Sequence, residues 1–288
     1  MNRRPRVLPL VTWAYMLWAL LPVVVAIVFS FNAGRSRSVW QGFSLRWWTG
    51  PTLSIFHDPD YAHALTHSLT LAGLDMLIAT PLGVLLAIGL ARWRGRGSGA
   101  ANALMLVPLV TPEIVMAVSL LIVFTQVTIV PFSLIHLGTG AQVVGQVTFS
   151  LSYVVVIVRG RLASIGAQYE EAARDLGATT FGSMRLILLP LLLPAIMASM
   201  LIVFALSIDD FVVTQYMSSN SSTTTIPMYL YSNARGGTTT PALNALATIL
   251  VAVTLIGIGV AFLAYRLFSR YAPTSDEAMT LHELSGMA

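Results

Sequence analysis

The sequence predicts an all-α fold, a polytopic membrane bundle of about six helices, on three observations. Of 288 residues, 56% are hydrophobic and only 10% charged, a balance outside that of soluble domains. Six apolar stretches are each long enough to cross a bilayer, whose hydrocarbon core of about 30 Å takes roughly 20 residues of helix. The sixteen basic residues, all arginine, gather at the ends of these stretches. The stretches use nearly all of the chain, so residues 1–288 read as one transmembrane domain. Solute capture outside the membrane and nucleotide chemistry then fall to other polypeptides.

The first span, 7–31, follows MNRRPR. Its apolar run exceeds the roughly 7–15 residues of a signal-peptide core and no A-x-A site follows, so it is expected to stay attached. An outer loop from Asn32 to about His63 carries Trp40, Trp47 and Trp48 near Phe43 and Leu45, a composition suited to an interfacial anchor or aromatic belt. The second span, 65–91, ends in the short inner turn RWRGRGSG. The third, 101–123, holds Pro108 and Pro112, which leave carbonyls without helical donors and predict a kink about halfway. The fourth, 141–158, is diluted by Gln142, Gln146, Thr148, Ser150 and Ser152, and is kept because its loss would invert every later loop. The fifth is 191–213 and the sixth 243–268. Between them Ser218 to Pro241, rich in Ser, Thr and Gly, is a long outer loop, expected to be partly re-entrant around Pro227 to Tyr231. The tail, 273–288, is polar and acidic and expected to be mobile.

An excess of positive charge marks the cytoplasmic side. With the N-terminus inside, that side holds twelve arginines: Arg3, Arg4, Arg6, Arg92, Arg94, Arg96, Arg159, Arg161, Arg174, Arg185, Arg266 and Arg270. The outer side holds four, Arg35, Arg37, Arg46 and Arg235. Both termini are then cytoplasmic, and so is the charged segment Glu170 to Pro190, EEAARDLGATTFGSMRLILLP. Glu170 and Arg174 form an i,i+4 pair on a short helix that offers Ala172, Ala173 and Leu176 as a small apolar patch. Gly177 ends that helix, and Thr179 or Thr180 caps a second, whose Met184, Leu186 and Ile187 lead to Pro190. Two small helices at an angle, with little bulk at the bend, make a knob suited to a groove on a partner.

The order Glu171-Ala172-Ala173, three residues, Gly177, nine residues, Ile187, one residue, Leu189-Pro190 resembles the cytoplasmic EAA loop of permease subunits in bacterial ATP-binding-cassette importers. Three further stretches are similar to the spermidine and putrescine branch of that family: ALSIDDFVVT (205–214), TTIP (224–227) and TPALNALATIL (240–250). With Thr66 to Leu69 and the FSLRWW segment, the likeness runs from about Phe29 to Arg266. The chain departs from the pattern at SSNSS before TTIP, at Ala242, where the family often has an acid, and at His67, where it has Asn. The resemblance implies an inner-membrane permease with no cofactor of its own. It would be paired with a homologous permease subunit, two copies of a cytoplasmic ATPase that binds ATP and Mg, and an extracytoplasmic binding protein. It further implies that Glu171, Ala172, Ala173, Asp175, Gly177, Ile187, Leu189 and Pro190 couple the spans to the ATPase, and that the solute is a polyamine. Importers of iron or thiamine share the loop, and a non-transporting membrane scaffold is a rival of another class.

The acids favour a cationic passenger independently. A central Asp costs roughly 2.5–3.5 kcal/mol on insertion scales, so such groups usually face a bundle interior or a wet path. Asp75, Glu113, Asp209 and Asp210 are of this kind, and no basic residue lies in the interior of a span, Arg266 standing at the end of the sixth. An oxyanion would be repelled. Asp209 and Asp210, about 100° apart on a helix, are expected to divide their roles, one facing the pathway. Asn244 and Thr248 share a helix face and suit interhelical bonding.

The residue types argue against catalysis. The chain has no lysine, hence no Walker A phosphate loop, and no cysteine, hence no disulfide, thiolate metal site or thiol nucleophile. His57, His63, His67, His136 and His282 lack metal-ligand spacing. The net charge of +4 follows the span ends and forms no basic face for nucleic acid.

Overall fold

A computed structural model of the chain describes residues 7–36, 39–50, 54–127, 136–166, 168–236 and 240–269. Arg3, Arg4, Arg6, Arg37, Arg270 and the tail 273–288 lie outside the described residues. Within those residues the fold is all-α, and the only β-type pairing is an isolated bridge between Asn32 and Phe43. The chain divides into two compact units, Met1–Ser68 with Asn220–Val253, and Leu69–Ser219 with Thr254–Ala288.

The first unit opens with α1 (Val7–Phe29), an apolar helix whose side chains are almost all exposed. The loop after it is organised by Asn32. Its amide donates to the carbonyls of Ser36 (2.9 Å) and Val39 (3.0 Å), and its Oδ1 accepts from the Gln41 N–H (2.8 Å). Trp47, on the short α2 (Arg46–Thr49), is 1% exposed and donates its indole N–H to the Asn32 carbonyl at 2.7 Å. The expected aromatic belt is therefore only partly that: Trp47 is core, Trp48 stacks on Phe31, and Trp40 stays exposed. Trp47 packs with Ile55 and with Tyr61 and Ala64 of the first turns of α3 (Pro59–Arg92). Ile226 at the head of α12 (Ile226–Gly236) and Leu243 and Leu246 in α13 (Pro241–Ser269) complete this core. The loop expected to be re-entrant is thus largely helical from Ile226 onward.

The second unit is built on the inner two-thirds of α3 crossing α7 (Thr139–Ile165). Leu71, Ala79, Val84 and Ile88 pack against Val147, Val154, Val155 and Val158, with Leu188, Leu192 and Val203. The crossing is tight at Gly83, where an added Cβ would lie 2.5 Å from the Val154 Cβ. Small residues let backbones approach in this way, which is how apolar helices gain contact where lipid offers no hydrophobic contrast.

The third apolar stretch is not one helix. It comprises α4 (Ser98–Leu104), α5 (Val107–Val110) and α6 (Glu113–Gln126), with a bend of 109° at Thr111 and Pro112. Proline sends its predecessor to extended backbone, and Thr111 sits at φ −72°, ψ 131°. The kink expected from the prolines is a break.

The fifth stretch also departs from a single helix over 191–213. A short α8 (Gln168–Asp175) and α9 (Thr180–Ser183) precede a π-turn at Met184–Leu188, in which the Leu189 N–H bonds the Met184 carbonyl. Pro190 explains the widening, because a proline can neither donate to the carbonyl four residues back nor tolerate it in α geometry. Then α10 (Leu189–Asp209) ends at Asp210, which is extended, and α11 (Val212–Met217) starts anew. Among the described residues, five helices are long and apolar enough to cross a membrane, or six spans if the bent α4 to α6 pair counts as one.

Candidate functional site

The charged segment folds as local signals dictate. In α8, Glu170 and Glu171 lie in the first turn and Arg174 in the last, each sign opposing the helix dipole. Gly177 has φ +84°. The Ala178 N–H bonds the Ala173 carbonyl at 2.9 Å and the Gly177 N–H bonds that of Arg174 at 2.8 Å, a Schellman closure. Thr179 caps α9, its hydroxyl accepting the Gly182 N–H at 3.1 Å. Two helical turns therefore meet at a glycine whose surroundings are open: a Cβ added to Gly177 meets nothing within 4 Å.

Of the residues implied for coupling, Glu171, Ala172, Asp175, Gly177 and Pro190 are exposed, Ile187 and Leu189 are half-buried, and Ala173 packs inward. Leu188, adjacent to them, is fully buried and roots the segment in the core. The surface left outside is apolar: Leu176 is 90% exposed, Leu186 74% and Phe181 66%. Three large apolar side chains thus stand uncovered around one bend.

The Glu170–Arg174 pair expected from the spacing is present as an ion pair at 3.7 Å. The closer partner is Arg92 at the end of α3, whose guanidinium Nη2 bonds both Glu170 oxygens at 2.8 and 2.7 Å. Arg92, which ties α8 to the end of α3, lies 78 positions away in the sequence, and its place at the end of the second span is the hint that the sequence offers.

The second group of residues is tertiary. Asp210, at the break between α10 and α11, accepts the N–H of Val213 (3.1 Å) on Oδ1 and that of Thr214 (3.0 Å) on Oδ2. Oδ2 also receives the Gln146 amide at 3.1 Å. Asp210 thus works as an N-terminal cap for α11, held from α7. Asp209, one residue earlier, is exposed. Glu113, which opens α6, lies near Asp210 and interacts electrostatically with Asp209. Three helix ends therefore bring three carboxyls together. Asp75 is not with them. It is fully buried between α3 and α7, where the Ser150 hydroxyl donates to Oδ2 at 2.7 Å.

The polar residues that weaken the fourth stretch in a hydropathy reading are what orders this region. Gln142 donates to the Thr214 carbonyl at 3.0 Å, and Gln146 donates to the Ser207 carbonyl at 3.2 Å while accepting the Ser207 hydroxyl at 2.7 Å. Gln142, Gln146 and Ser150 recur every four residues and form one polar stripe on α7. That spacing was visible in the sequence as the signal of a bonded face.

Comparison with known proteins gives a consistent result. The family profile described as "Binding-protein-dependent transport system inner membrane component" matches residues 79–272. The chain is 37% identical over 236 residues to the spermidine/putrescine transport system permease protein PotC of Escherichia coli (strain K12), covering 82% of this chain and 85% of that one. It is 34% identical over 251 residues to the putrescine transport system permease protein PotI of the same strain, covering 86% of each. Among solved structures, a chain of a bacterial transporter for the acidic polysaccharide alginate matches with a TM-score of 0.71 at 18% identity, over 90% of this chain and 94% of that one. At that identity the likeness carries the fold alone.

Proposed function

We propose a solute and a coupling route for this chain, which belongs to the family of binding-protein-dependent transport system inner membrane components. Membership makes it a multi-pass inner-membrane subunit of a transporter, with chemistry and solute capture supplied by partner subunits. The solute is a polyamine, spermidine or putrescine. The observation that carries this reading is the similarity to PotC and PotI over more than four-fifths of the chain. Glu113, Asp209 and Asp210 support it, because their clustered carboxyls attract an ammonium and repel an anion.

The segment 170–190 docks in a cleft of a cytoplasmic ATPase. Leu176, Phe181 and Leu186 supply apolar contact around the bend at Gly177. When ATP closes the paired ATPase subunits, the two docking segments of this chain and a homologous permease draw together, and the spans open outward to the binding protein. The pull enters this chain by two routes: through Leu188 into α10, and through the Arg92 pair into α3. At the far end of α10, Asp209 and Glu113 face the passing cation, while Asp210 holds the break that places them. Asp75 acts in α3–α7 packing. Both termini lie in the cytoplasm.

Uptake of labelled spermidine and putrescine tests this in cells lacking the chain and other polyamine importers, complemented with wild type, Asp209→Asn or Gly177→Asp. Wild type should restore uptake and both variants should not. Gly177→Asp is informative because its side chain enters open space and Asp tolerates positive φ better than most residues, so lost uptake with an unchanged thermal midpoint reports the partner's cleft. Unchanged uptake in every strain would remove the polyamine assignment and leave the permease assignment standing.

A further inference from the structure

Within the first unit, the head of α3, the turn 221–224 and α12 enclose a cleft of about 390 Å³. This is near the small end of the roughly 300–1,000 Å³ typical of ligand pockets, and suits a slender solute better than a bulky one. Its walls are fixed by local bonds. Asp58 caps α3 by accepting the Asp60 N–H at 3.0 Å, and Asn220 closes a reciprocal cap on the 221–223 turn. The Ser68 hydroxyl accepts the Ile226 N–H at 2.9 Å, and Tyr61 meets Tyr229 edge-on at 5.1 Å.

The polar groups that line the cleft are one carboxylate, three hydroxyls, the Tyr229 phenol and the imidazole of His63, whose ring stacks on that of His67. Asp60 contributes a carboxylate with no ion pair among the described residues, Ser221, Ser222 and Thr224 contribute hydroxyls, and Tyr229 contributes an aromatic ring. No arginine lines it. The nearest in sequence, Arg235, lies over the Tyr231 ring at 5.2 Å. Negative charge reaches the cleft wall: the Tyr229 hydroxyl pKa is pushed up by burial and, after that, by the charges of Asp58 and Asp60. A carboxylate, several hydroxyls and a ring face around a narrow space are the complement of an alkylammonium group, which needs an ion pair, hydrogen-bond acceptors and a π surface.

We propose that this cleft is a receiving site for the protonated amine end of a linear alkylammonium solute, separate from the Glu113, Asp209 and Asp210 cluster. The assignment rests on the cation reading above and adds a place where the solute is first held. By the arginine distribution, the loops that build it lie on the outer side of the membrane, where the solute arrives. Asp60 pairs with the ammonium, the hydroxyls take its remaining protons, and the Tyr229 ring covers the first methylenes.

The test is photolabelling of the full chain in lipid nanodiscs with a diazirine derivative of 1,4-diaminobutane, mapped by mass spectrometry. Adducts are expected on the peptides holding 221–224 and Tyr229, suppressed by excess spermidine and not by 1,4-butanediol. Asp60→Asn should cut labelling about tenfold, the worth of one charge-assisted bond. Tyr229→Leu should reduce it and Tyr229→Phe, which keeps the ring, should not. Absence of adducts there, equal suppression by the diol, or indifference to Asp60→Asn would overturn the site. Failed cellular uptake with labelling intact would sink the polyamine reading alone, and lost labelling with uptake intact would sink this cleft alone.

Discussion

The proposed docking knob and the carboxyl cluster are two regions of one unit whose order is built in opposite ways. The knob must be a rigid shape offered to something else, so its order comes from backbone closure within about twenty residues and its apolar side chains are left uncovered. The cluster must hold a costly carboxyl at a fixed place, so its order comes from α7, sixty or more residues away, and Asp210 is satisfied within the chain while Asp209 is left exposed. A knob residue should therefore be replaceable without harm to the fold, while a cluster residue should separate into one that carries stability and one that does not.

The largest effect sought from this contrast is at the knob. Leu176→Asp and Phe181→Asp place charge on side chains that touch little of their own chain. Transport and co-purification of the ATPase should fall at least about tenfold, the scale of one lost apolar anchor at an interface, while the thermal midpoint of the isolated chain stays put. A lowered midpoint would show that these side chains serve the chain's own packing and would remove the contrast.

Next in size is the division between neighbouring acids. Asp210→Ala removes two backbone caps and the Gln146 bond, and should cost about 1–3 kcal/mol, seen as a lower unfolding midpoint and greater protease access around α11. Asp210→Asn keeps an acceptor and should lose less. Asp209→Asn should leave the midpoint unchanged and reduce solute flux. If both substitutions act alike on stability, the assignment of one structural and one solute-facing acid fails.

The same contrast explains what was legible in the sequence. Gly177 and Thr179 are local signals, and the C-terminus of α8 and the start of α9 lie where they predict, while the start of α8 at Gln168 and the π-turn after α9 were not predicted. Pro112 announced a kink because proline acts on its own neighbours, although the size of the bend needed the fold. The roles of Asp209 and Asp210 were not legible, because a helical projection assumes the helix continues through both. It stops between them, and only the tertiary bonds from Gln146 and the caps of α11 say which is committed. Trp47 misled for a related reason: an aromatic cluster beside a span looks the same in sequence whether it faces headgroups or, as Trp47 does, packs on Ile55 and Tyr61. Arg92 was read as topology charge, since nothing local distinguishes it from Arg94 or Arg96.

A smaller effect follows at that arginine, and it links the two regions. The Arg92 side chain is 35% exposed and that of Glu170 14%, so solvent screening holds the pair to about 1 kcal/mol or less in stability. Its importance is positional. Arg92→Ala should leave assembly intact and lower the solute moved per ATP hydrolysed by a few-fold, as α8 is freed from α3. Arg92→Glu should lower it further through repulsion from Glu170, and the exchange Arg92→Glu with Glu170→Arg should restore part of it. A swapped pair no better than either single change would show that the bridge follows α8 without steering it.

The smallest expected effect is at Asp75, the acid that stands apart. Ser150→Ala takes away its one hydrogen-bond donor and should cost about 1 kcal/mol of stability, with transport little altered. Asp75→Asn keeps the shape and the bond, since the Asn carbonyl still accepts from the Ser150 hydroxyl, and removes any charge that burial would penalise. Because Oδ1 has no hydrogen-bond partner among the described residues, the amide NH2 placed there would also go unpaired and offset that gain, and stability in a thermal melt should change by no more than about 1 kcal/mol in either direction. A variant that melts normally yet carries no solute would instead bring Asp75 into the group with Asp209 and Glu113, and would mean that the cation's path runs along α3 as well as past the end of α10.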